Sequence, residues 1–290
     1  MQVALPALLV LLLSSIASAQ DKKAPEPEPP ALVVVPRLTL FAADVRGRVR
    51  ADEGSAPAPI LDGTSVDFES DLDLDDSDPV WILEIAAFQR GEGRYLERAS
   101  LSYLDASYEG SATLDSAEAF NGRTFAAGTA VESKCRYRAW GADFAVVDGE
   151  TLFEDTSASF LMGVRYTDLR IKMDGGGQDT DERLRLFWMG VGFRGERTFG
   201  PTFSGVLQAA VYFSFGRFED WFDLRFEEWG GAMFEGMAGM SGSIGPVQLE
   251  AGWRLISQAS YSHVDTSDKF EDNDFTLQLG GPWLSATVRF

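Results

Sequence analysis

Apolar and polar residues alternate one by one at the carboxy-terminal end of the chain. The apolar positions are Leu284, Ala286, Val288 and Phe290. The polar positions between them are Ser285, Thr287 and Arg289. A strand with this pattern needs an apolar solvent on one face and a polar space on the other, as in transmembrane barrels. An open sheet in lipid would leave N–H and C=O groups unpaired at its edges, so such strands must close into a barrel.

The same period of two residues recurs along the chain. It is clearest in Val247–Tyr261, Phe203–Phe215 and Phe187–Glu196, whose apolar residues would scatter around a helix. Weaker candidates for strands are Arg37–Arg50, Val80–Arg90, Tyr95–Tyr108, Ser133–Val147, Ser157–Met173, Trp229–Ile244 and Glu271–Phe290. We predict an all-β fold, a closed antiparallel transmembrane β-barrel of ten strands. Eight strands are the alternative, because the second and fourth candidates alternate poorly.

The phase of the alternation changes inside the last candidate strand. Phe275, Leu277 and Leu279 occupy odd positions, whereas the apolar residues from Leu284 onward occupy even positions. Gly280–Pro282 lies at the change. A β-bulge inserts one extra residue and so reverses the faces of a strand. We therefore predict a bulge at this point.

An apolar segment near the amino terminus, Leu5–Ile16, is too short to span a bilayer as a helix. The small residues Ala17-Ser18-Ala19 follow it and form an A-x-A cleavage site. We expect cleavage before Gln20, so that residues 1–19 are a signal peptide and the protein is exported. No long apolar run follows, so the sequence predicts no helical membrane span.

Prolines are frequent in residues 20–36, and they favour extended, unpaired backbone. We predict a periplasmic linker there and one outer-membrane β-barrel domain over residues 37–290. The connections within that domain alternate between short ones, such as Thr198–Pro201, and long ones, such as Asp174–Glu182. Because short periplasmic turns and long outer loops are typical of outer-membrane barrels, we expect both termini in the periplasm.

The charge of the chain limits its partners. The formal net charge is −20, so the phosphates of a nucleic acid would be repelled. The same charge argues against electrostatic docking onto anionic lipid. Hydrophobic residues make up 45% of the sequence, which is too polar for a helical membrane protein and suits a barrel with half-polar strands. The single cysteine, Cys135, excludes an internal disulfide framework.

Three motifs give the barrel domain a resemblance to a known family. The acidic first loop contains Val66–Leu74, and the second loop contains Phe120–Phe125 followed by Gly128-Thr129. A Gly-Pro-aromatic element, Gly281–Trp283, precedes the aromatic terminus. With these motifs the chain resembles a group of largely uncharacterised small β-barrel proteins of the bacterial outer membrane, over Arg37–Phe290.

The resemblance implies partners and brings no chemistry with it. The barrel-insertion machinery would recognise the carboxy-terminal strand, and outer-membrane lipids and lipopolysaccharide would surround the barrel. The family would have a glycine before the second leucine of the acidic loop, where this chain has Asp73. The oligomeric state stays open.

If the apolar positions face lipid, the opposite positions carry charged side chains into the lumen. These are Arg46, Arg48, Glu84, Arg98, Arg136, Arg138, Arg165, Arg194, Glu196, Glu235, Glu250 and Arg254. A ten-stranded barrel is narrow enough for long side chains to meet across it. Because a buried charge without a partner is costly, we expect the charges to pair and plug the lumen. The alternative is a ring of charges that selects a small solute.

The segment Asp67–Asp78 holds seven acidic residues in twelve positions and no basic one. An EF-hand that began at Asp71 would need glycine where Asp76 stands and glutamate where Ile82 stands. We therefore expect a solvated acidic loop. Loose bridging of this loop to lipopolysaccharide by Mg²⁺ or Ca²⁺ is the alternative.

His263, the one histidine of the sequence, is close to Ser260, Ser262 and Asp265 at the outer end of the ninth candidate strand. Outer-membrane lipases and lipid A acyl-modifying barrels use a His and a Ser near this height. Nucleophilic catalysis also needs a Ser–His contact, an orienting group and an oxyanion site, and proximity in sequence predicts none of them. We expect a loop histidine without a role, and we assign no catalytic, cofactor-binding or metal-binding residue and no cofactor.

Aromatic residues near the ends of predicted strands are typical of the interfacial girdles of membrane proteins. They are Trp81, Tyr108, Trp188, Phe215, Trp221, Trp229, Tyr261 and Trp283. A denser group in the fourth loop comprises Phe218, Trp221, Phe222, Phe226 and Trp229. We expect this group to pack within the girdle and its loop. An apolar surface for lipid or a hydrophobic solute is the alternative.

These features predict a non-enzymatic outer-membrane β-barrel with a charge-plugged lumen and a structural or surface role. One alternative is a narrow channel, or a barrel that binds or transports a small hydrophobic solute. The other is a lipid-modifying enzyme, a hydrolase or acyltransferase, that uses His263.

Overall fold

The computed structural model describes residues 32–54, 64–74, 76–77, 79–90, 95–153, 156–200, 202–214, 228–265 and 270–288. The predicted signal peptide and most of the predicted linker lie outside these ranges. Among the described residues, no helix has the length and apolar character to cross a bilayer.

All regular structure in the described ranges is β-strand, as the period of two residues predicts. The strands are β1 (Leu32–Phe41), β2 (Asp44–Gly54), β3 (Val66–Asp67), β4 (Asp76–Ser77), β5 (Val80–Arg90), β6 (Tyr95–Thr113), β7 (Glu118–Phe120), β8 (Arg123–Phe125), β9 (Ala130–Phe153), β10 (Thr156–Gly175), β11 (Gln178–Thr198), β12 (Phe203–Ser214), β13 (Glu228–Ile244), β14 (Val247–Asp265) and β15 (Phe270–Val288). β1 begins five residues before the predicted domain boundary, so Leu32–Pro36 belong to the sheet rather than to a linker.

The long strands close into a barrel. β1 and β2 together form its first strand, and both pair with β15, for example Arg37 with Thr287 and Asp44 with Gly280. From β1 the order runs through β5, β6, β9, β10, β11, β12, β13 and β14 to β15, with neighbours antiparallel. The first strand is thereby joined to the last, which leaves no open edge for lipid to meet. The prediction of a closed antiparallel barrel of ten strands is confirmed, and the alternative of eight is wrong.

The last strand contradicts the predicted bulge. β15 keeps one register with β14 through Gly280–Pro282, and its register with β2 continues unshifted into its register with β1. Phe275, Leu277 and Leu279 are buried inside the barrel, on the same face as Ser285. The interior changes from apolar to polar at this point while the face stays the same. The apparent change of phase therefore has no structural counterpart in β15.

Both described termini lie at one end of the barrel, here called the terminal end, and the opposite end is the loop end. At the terminal end, β13 and β14 are joined by Gly245-Pro246. At the loop end, β10 and β11 are joined by Gly176-Gly177, whose φ angles are 61° and 78°. Positive φ at both positions is typical of a type I′ hairpin turn. The predicted long connection Asp174–Glu182 is therefore wrong, because both strands continue to this turn.

The outward side chains form an apolar band around the barrel. Exposed members include Leu83, Ile85, Leu101, Phe144, Phe160, Met162, Val191, Phe193, Leu207, Phe234, Leu249, Trp253 and Leu284. Soluble monomers rarely expose a contiguous apolar surface of this extent. A bilayer is the solvent in which such a band is stable.

The predicted girdle is correct only in part. Trp81 and Tyr261 point outward and are about half exposed. Tyr108, Trp188 and Trp283 are buried inside the barrel, so their assignment to the girdle is wrong. The predicted aromatics whose side chains lie outside the described residues are Phe215, Phe218, Trp221, Phe222, Phe226 and Trp229.

The interior is divided along the barrel axis. Toward the loop end it is apolar, with Phe41, Tyr108, Leu277 and Leu279 among its buried residues. Toward the terminal end it is polar and charged, with buried Arg37, Thr39, Arg165, Glu235, Gln248, Glu250, Ser285 and Thr287. A barrel of this size is filled by its own side chains, and here two kinds of filling meet.

Candidate functional site in the barrel interior

Arg165 is the centre of the charged half. From β10 its Nη1 and Nη2 donate to Asp143 Oδ1 and Oδ2 on the neighbouring β9, both at 2.8 Å. Across the lumen its Nε and Nη2 donate to the two carboxylate oxygens of Glu235 on β13, at 2.9 and 3.0 Å. Tyr212 donates from Oη to Asp143 Oδ1 at 3.2 Å and lies under the guanidinium, 4.5 Å from ring centroid to Cζ. Arg254 Nη2 is 3.8 Å from the same Glu235.

Two inward-facing glycines provide the space for this cluster. A Cβ on Gly163 would lie 2.2 Å from Asp143 Oδ1 and 3.0 Å from the Tyr212 ring. A Cβ on Gly141 would lie 3.0 Å from Arg165 Cδ. Because these neighbours are held in ion pairs, a larger residue at either position would displace the cluster.

A second ion pair lies on β1 and β5. Arg37 Nη1 is 2.8 Å from Glu84 Oε1, and Arg37 Nε donates to Thr287 Oγ1 at 3.3 Å. Gln248 Nε2 donates to Glu250 Oε1 at 2.8 Å on β14. The charged groups of this half are thus engaged with partners from several strands, as burial of charge requires.

The space left among these groups is small. The cavity has a volume of about 40 Å³ and is lined by Arg37, Glu84, Arg165, Glu235, Glu250 and Ser285 among others. A single water needs about 10–15 Å³ of such volume, so the cavity has room for a few waters. Ser285 lines the cavity and its Oγ is buried without a protein partner, so a water in the cavity would satisfy it.

The predicted lumenal charges divide into three groups. The structure places Glu84, Arg165, Arg194, Glu196, Glu235, Glu250 and Arg254 on the inner face, as predicted. The side chain of Arg98 lies outside the described residues. The positions that alternation assigned to the wrong face are Arg46, Arg48, Arg136 and Arg138, which point outward. In these strands the inner face is apolar near the loop end, so the polar face of the pattern is the outer one.

The acidic first loop folds into the loop end of the barrel. Val66, Phe68, Leu72 and Leu74 are completely buried, and the Phe68 ring lies 6.2 Å from that of Phe275, between centroids. The backbone is anchored as well, since Ser133 Oγ donates to the Leu72 carbonyl at 3.0 Å. The expectation of a solvated acidic loop is wrong for these apolar residues, whereas the acidic Glu69 and Asp73 are exposed. The signal in the sequence for their burial is their alternation with acidic residues.

The acidic side chains of this loop hold its own turn. Asp67 Oδ1 accepts from the N–H groups of Glu69 and Ser70, both at 3.0 Å. Asp71 Oδ2 accepts from the Asp67 N–H at 2.8 Å. Within the described residues, no group of three or more His, Cys, Asp or Glu side chains is placed to hold a metal ion.

The second loop forms a cover beside the first. β7 and β8 pair through the Asn121-Gly122 turn, whose φ angles are 47° and 69°. Phe120 and Phe125 are buried beneath this hairpin. The Thr64 N–H donates to the Ala119 carbonyl at 2.7 Å, which fastens the two loops to each other.

His263 lies on β14, opposite Glu228 on β13 and Asp272 on β15 in the register of the sheet. Its side chain lies outside the described residues. Ser260 points into the barrel and is buried. The expectation of a histidine without a role, and the alternative that pairs it with a serine nucleophile, therefore concern a side chain outside the described residues. Cys135 is buried among the inward residues of β9.

No protein-family model matches the chain, and no curated protein matches it in sequence. Among solved structures it is similar to the outer membrane protease OmpT from Escherichia coli, with 7% identity over 90% of this chain and 99% of that chain and a TM-score of 0.43. It is similar to Neisserial surface protein A, with 13% identity over 90% and 100% and a TM-score of 0.29. It is also similar to outer membrane protein AlkL, with 12% identity over 93% and 97% and a TM-score of 0.33.

Likenesses this distant bear on the fold alone. The closed register of the strands and the apolar outer band determine what kind of fold it is. It is an outer-membrane β-barrel.

Proposed function

We propose that the protein is a closed, non-enzymatic barrel of the outer membrane with a structural or surface role. The observation that carries the proposal is the Arg165 cluster, which joins β9, β10, β12 and β13 across the lumen. A guanidinium that donates to two carboxylates by two bonds each is strongly held, because such charge-assisted bonds are about twice as strong as neutral ones. An ion that entered the lumen would have to break them.

A second barrier supports the same proposal. The apolar side chains of the first loop fill the interior toward the loop end, where Val66, Phe68, Leu72 and Leu74 are 0% exposed. A hydrated ion would lose its water in such a region at a cost of several kcal/mol or more. The two barriers differ in chemistry, and each of them opposes permeation by a different mechanism.

Planar-bilayer recording tests this function. We expect the purified full-length protein to give no discrete conductance steps, whereas a general porin reconstituted in the same way does. Reproducible steps of constant size from the wild-type protein would overturn the closed barrel and favour the narrow channel.

A cleft at the loop-end rim favours one alternative, the binding of a hydrophobic solute. It has a volume of about 770 Å³ and is lined by Arg48, Phe213, Ala232, Ala259, Tyr261 and Phe275 among others. Titration with an apolar fluorescent probe separates the two functions. A closed structural barrel binds the probe no better than the empty micelles do, and saturable binding that Phe275→Ser abolishes would favour the solute binder.

The lipid-modifying alternative rests on His263 and has a direct test. We expect His263→Ala to leave the lipid A and phospholipid profile of the host unchanged. A lost acyl modification in this variant, restored by the wild-type gene, would replace our proposal with an enzymatic one.

We further propose that both termini face the periplasm and that the insertion machinery recognises β15. The short Gly245-Pro246 turn lies at the terminal end, and Leu284 and Ala286 point outward from β15. An epitope inserted at the exposed residues Asp115–Ala117 of the second loop tests the orientation. Antibody should label it on intact cells, and labelling only after the envelope is opened would reverse the orientation.

A further inference from the structure

The outer face of four neighbouring strands carries residues in ordered rows. Paired positions on β6, β9, β10 and β11 point to the same side, so the register defines each row. The aromatic row is Tyr103, Trp140, Tyr166 and Phe187. The next row toward the loop end is Asp105, Arg138, Asp168 and Arg185. The arginine row follows, with Ser107, Arg136, Arg170 and Arg183. The last row is Glu109, Lys134, Lys172 and Asp181. These four rows are here called the patch.

The three charged rows hold seven basic and four acidic side chains, in a chain whose net charge is −20. The excess is concentrated in the arginine row, where Arg136, Arg170 and Arg183 are directly opposed on adjacent strands. Like charges in this arrangement destabilise a sheet. Carboxylates of the neighbouring rows bond these arginines and offset the repulsion only in part, because the three rows hold three more basic than acidic side chains. An anionic ligand would complete the balance.

Each arginine of this row keeps donors free of its carboxylate partner. Arg136 bonds Asp105 at 2.9 and 2.6 Å, and Arg183 bonds Asp168 at 2.7 and 2.6 Å. Each of these pairs uses two of the five N–H donors of a guanidinium. Within the described part of the chain, Arg138 forms an ion pair with Asp105 at 3.5 Å, and its Nε is buried without a hydrogen-bond partner.

An apolar groove adjoins the aromatic row on its other side. It has a volume of about 890 Å³, and all four residues of the aromatic row line it. Leu83, Ile85, Leu101, Ala142 and Val164 form its floor toward the terminal end. The patch therefore presents an apolar groove, an aromatic boundary and a basic surface in that order along the barrel wall.

The spacing of the rows matches the thickness of a lipid headgroup. Two residues of a strand rise about 7 Å, and the strands of a membrane barrel tilt by about 35–45°, so consecutive rows differ by about 5 Å in height. The headgroup region of a bilayer is about 5–8 Å thick on each side. When the aromatic row lies at the edge of the hydrocarbon, Arg138 lies about 5 Å above it, within the headgroup region. The arginine row lies about 10 Å above it, from where the long arginine side chains reach back to that region.

We propose that this patch binds a phosphorylated, multiply acylated glycolipid of the outer leaflet. Its acyl chains lie in the groove, and its phosphate groups accept from Arg138, Arg170 and their neighbours. The inference rests on the outer-membrane location and on the proposed orientation, with the loop end outside, but not on the closed lumen, so the lipid site and the closed barrel can fail separately. It differs from the expectation based on net charge, because the basic excess is local.

The variant Arg138→Gln/Arg170→Gln tests the site without leaving a carboxylate alone. Asp105 keeps Arg136, and Asp181 keeps Lys172 at 3.5 Å. Arg46→Gln/Arg48→Gln is the matched control, because it removes the same charge from outward positions of β2, away from the patch. Both variants should retain the heat-modifiable migration of the folded barrel. An Arg138→Lys/Arg170→Lys variant tests whether charge alone is sufficient.

The experiment is a titration of the purified full-length protein with bisphosphorylated lipid A in neutral detergent with EDTA, read by native mass spectrometry. We expect the patch variant to bind at least about tenfold more weakly, a loss of about 1.4 kcal/mol, because it lacks charge-assisted hydrogen bonds to the phosphate groups. The control should bind as the wild type does, and the lysine variant should retain most of the affinity.

Any one of four outcomes would overturn the proposal. The patch variant could bind lipid A as tightly as the wild type, or the wild type could bind phosphatidylcholine equally well. Displacement of lipid A by millimolar inorganic phosphate would indicate a site for a free anion. A protein dimer that forms through this face and excludes lipid A would also contradict it.

Discussion

Asp73 adopts a left-handed backbone conformation, with a φ of 52°, in the first loop. This conformation costs a residue with a Cβ about 1–2 kcal/mol, and aspartate tolerates it better than most. The glycine that the family would carry at this position has no such cost. The conformation is required because the chain turns here to bury both Leu72 and Leu74.

Asp73→Gly should therefore stabilise the folded barrel by about 0.5–1 kcal/mol. Asp73→Asn is the matched control, because it removes the charge and retains a residue that tolerates positive φ, and it should change little. The free energy of unfolding in urea, measured in lipid vesicles, checks both. A destabilised glycine variant would show that the Asp73 carboxylate contributes more than its backbone strain costs.

Arg165 should show the difference between breaking a buried ion pair and replacing it. Arg165→Met leaves Asp143 and Glu235 charged and without their main partner, and should cost about 3–5 kcal/mol. The triple variant Arg165→Met/Asp143→Asn/Glu235→Gln removes all three charges and should cost less than the single one. Urea unfolding of both variants checks the order. A triple variant that is less stable than the single one would contradict this explanation, in which the cost comes from buried carboxylates that have lost their partner.

The strands show what alternation in a sequence can and cannot predict. Their number, order and closure follow from it, because two different solvents impose a period of two residues. Alternation does not say which face points inward. In β15, Phe275 and Leu277 fill an apolar interior, so an apolar position there does not indicate lipid. The inferred bulge and the misplaced Arg46 and Arg136 have this one cause.

The interior cluster was predictable only as a set of residue types. Glu235 and Arg165 were expected in the lumen, but Asp143 was not, and neither was the part of Tyr212. Their meeting depends on which strands face each other across the barrel, and on the space left by Gly163. An inward glycine beside charged inward positions is the signal in the sequence that could have indicated a cluster.

The first loop is held as an element by its contact with β6. A Cβ on Gly110 would lie 2.1 Å from the Leu72 carbonyl oxygen, which is backbone and cannot turn aside. Gly110→Ala should therefore lift the loop from the barrel mouth. The Phe68 amide, which donates to the Gly47 carbonyl at 2.9 Å, should then exchange its hydrogen faster.

Gly200→Ala provides the control for this variant, because a Cβ there meets nothing within 4 Å. It should leave the exchange of the Phe68 amide unchanged. Equal protection in the Gly110 variant would mean that the loop tolerates the displacement and is held mainly by its buried apolar side chains.

At the scale of the whole molecule, net charge describes this barrel poorly. Among the described residues, acidic side chains such as Glu69 and Asp73 are exposed in the first loop, while basic residues such as Arg136 and Arg170 form a row on the outer wall. A sum over the chain cancels this separation. The local field, which decides what binds at the wall, is confined to about one Debye length, near 10 Å at ordinary salt.

The first loop and the Arg165 cluster should contribute independently to the stability of the barrel. Ser133, which bonds the first loop, and Asp143, which bonds Arg165, are ten residues apart on β9, or about 33 Å along the strand. Substitutions that far apart and without shared partners usually add within about 0.5 kcal/mol. The destabilisation of Gly110→Ala and that of Arg165→Met should therefore sum in the double variant, measured by urea unfolding in vesicles. A coupling well above that limit would show that loop and cluster support each other through the wall, and that the two barriers open together.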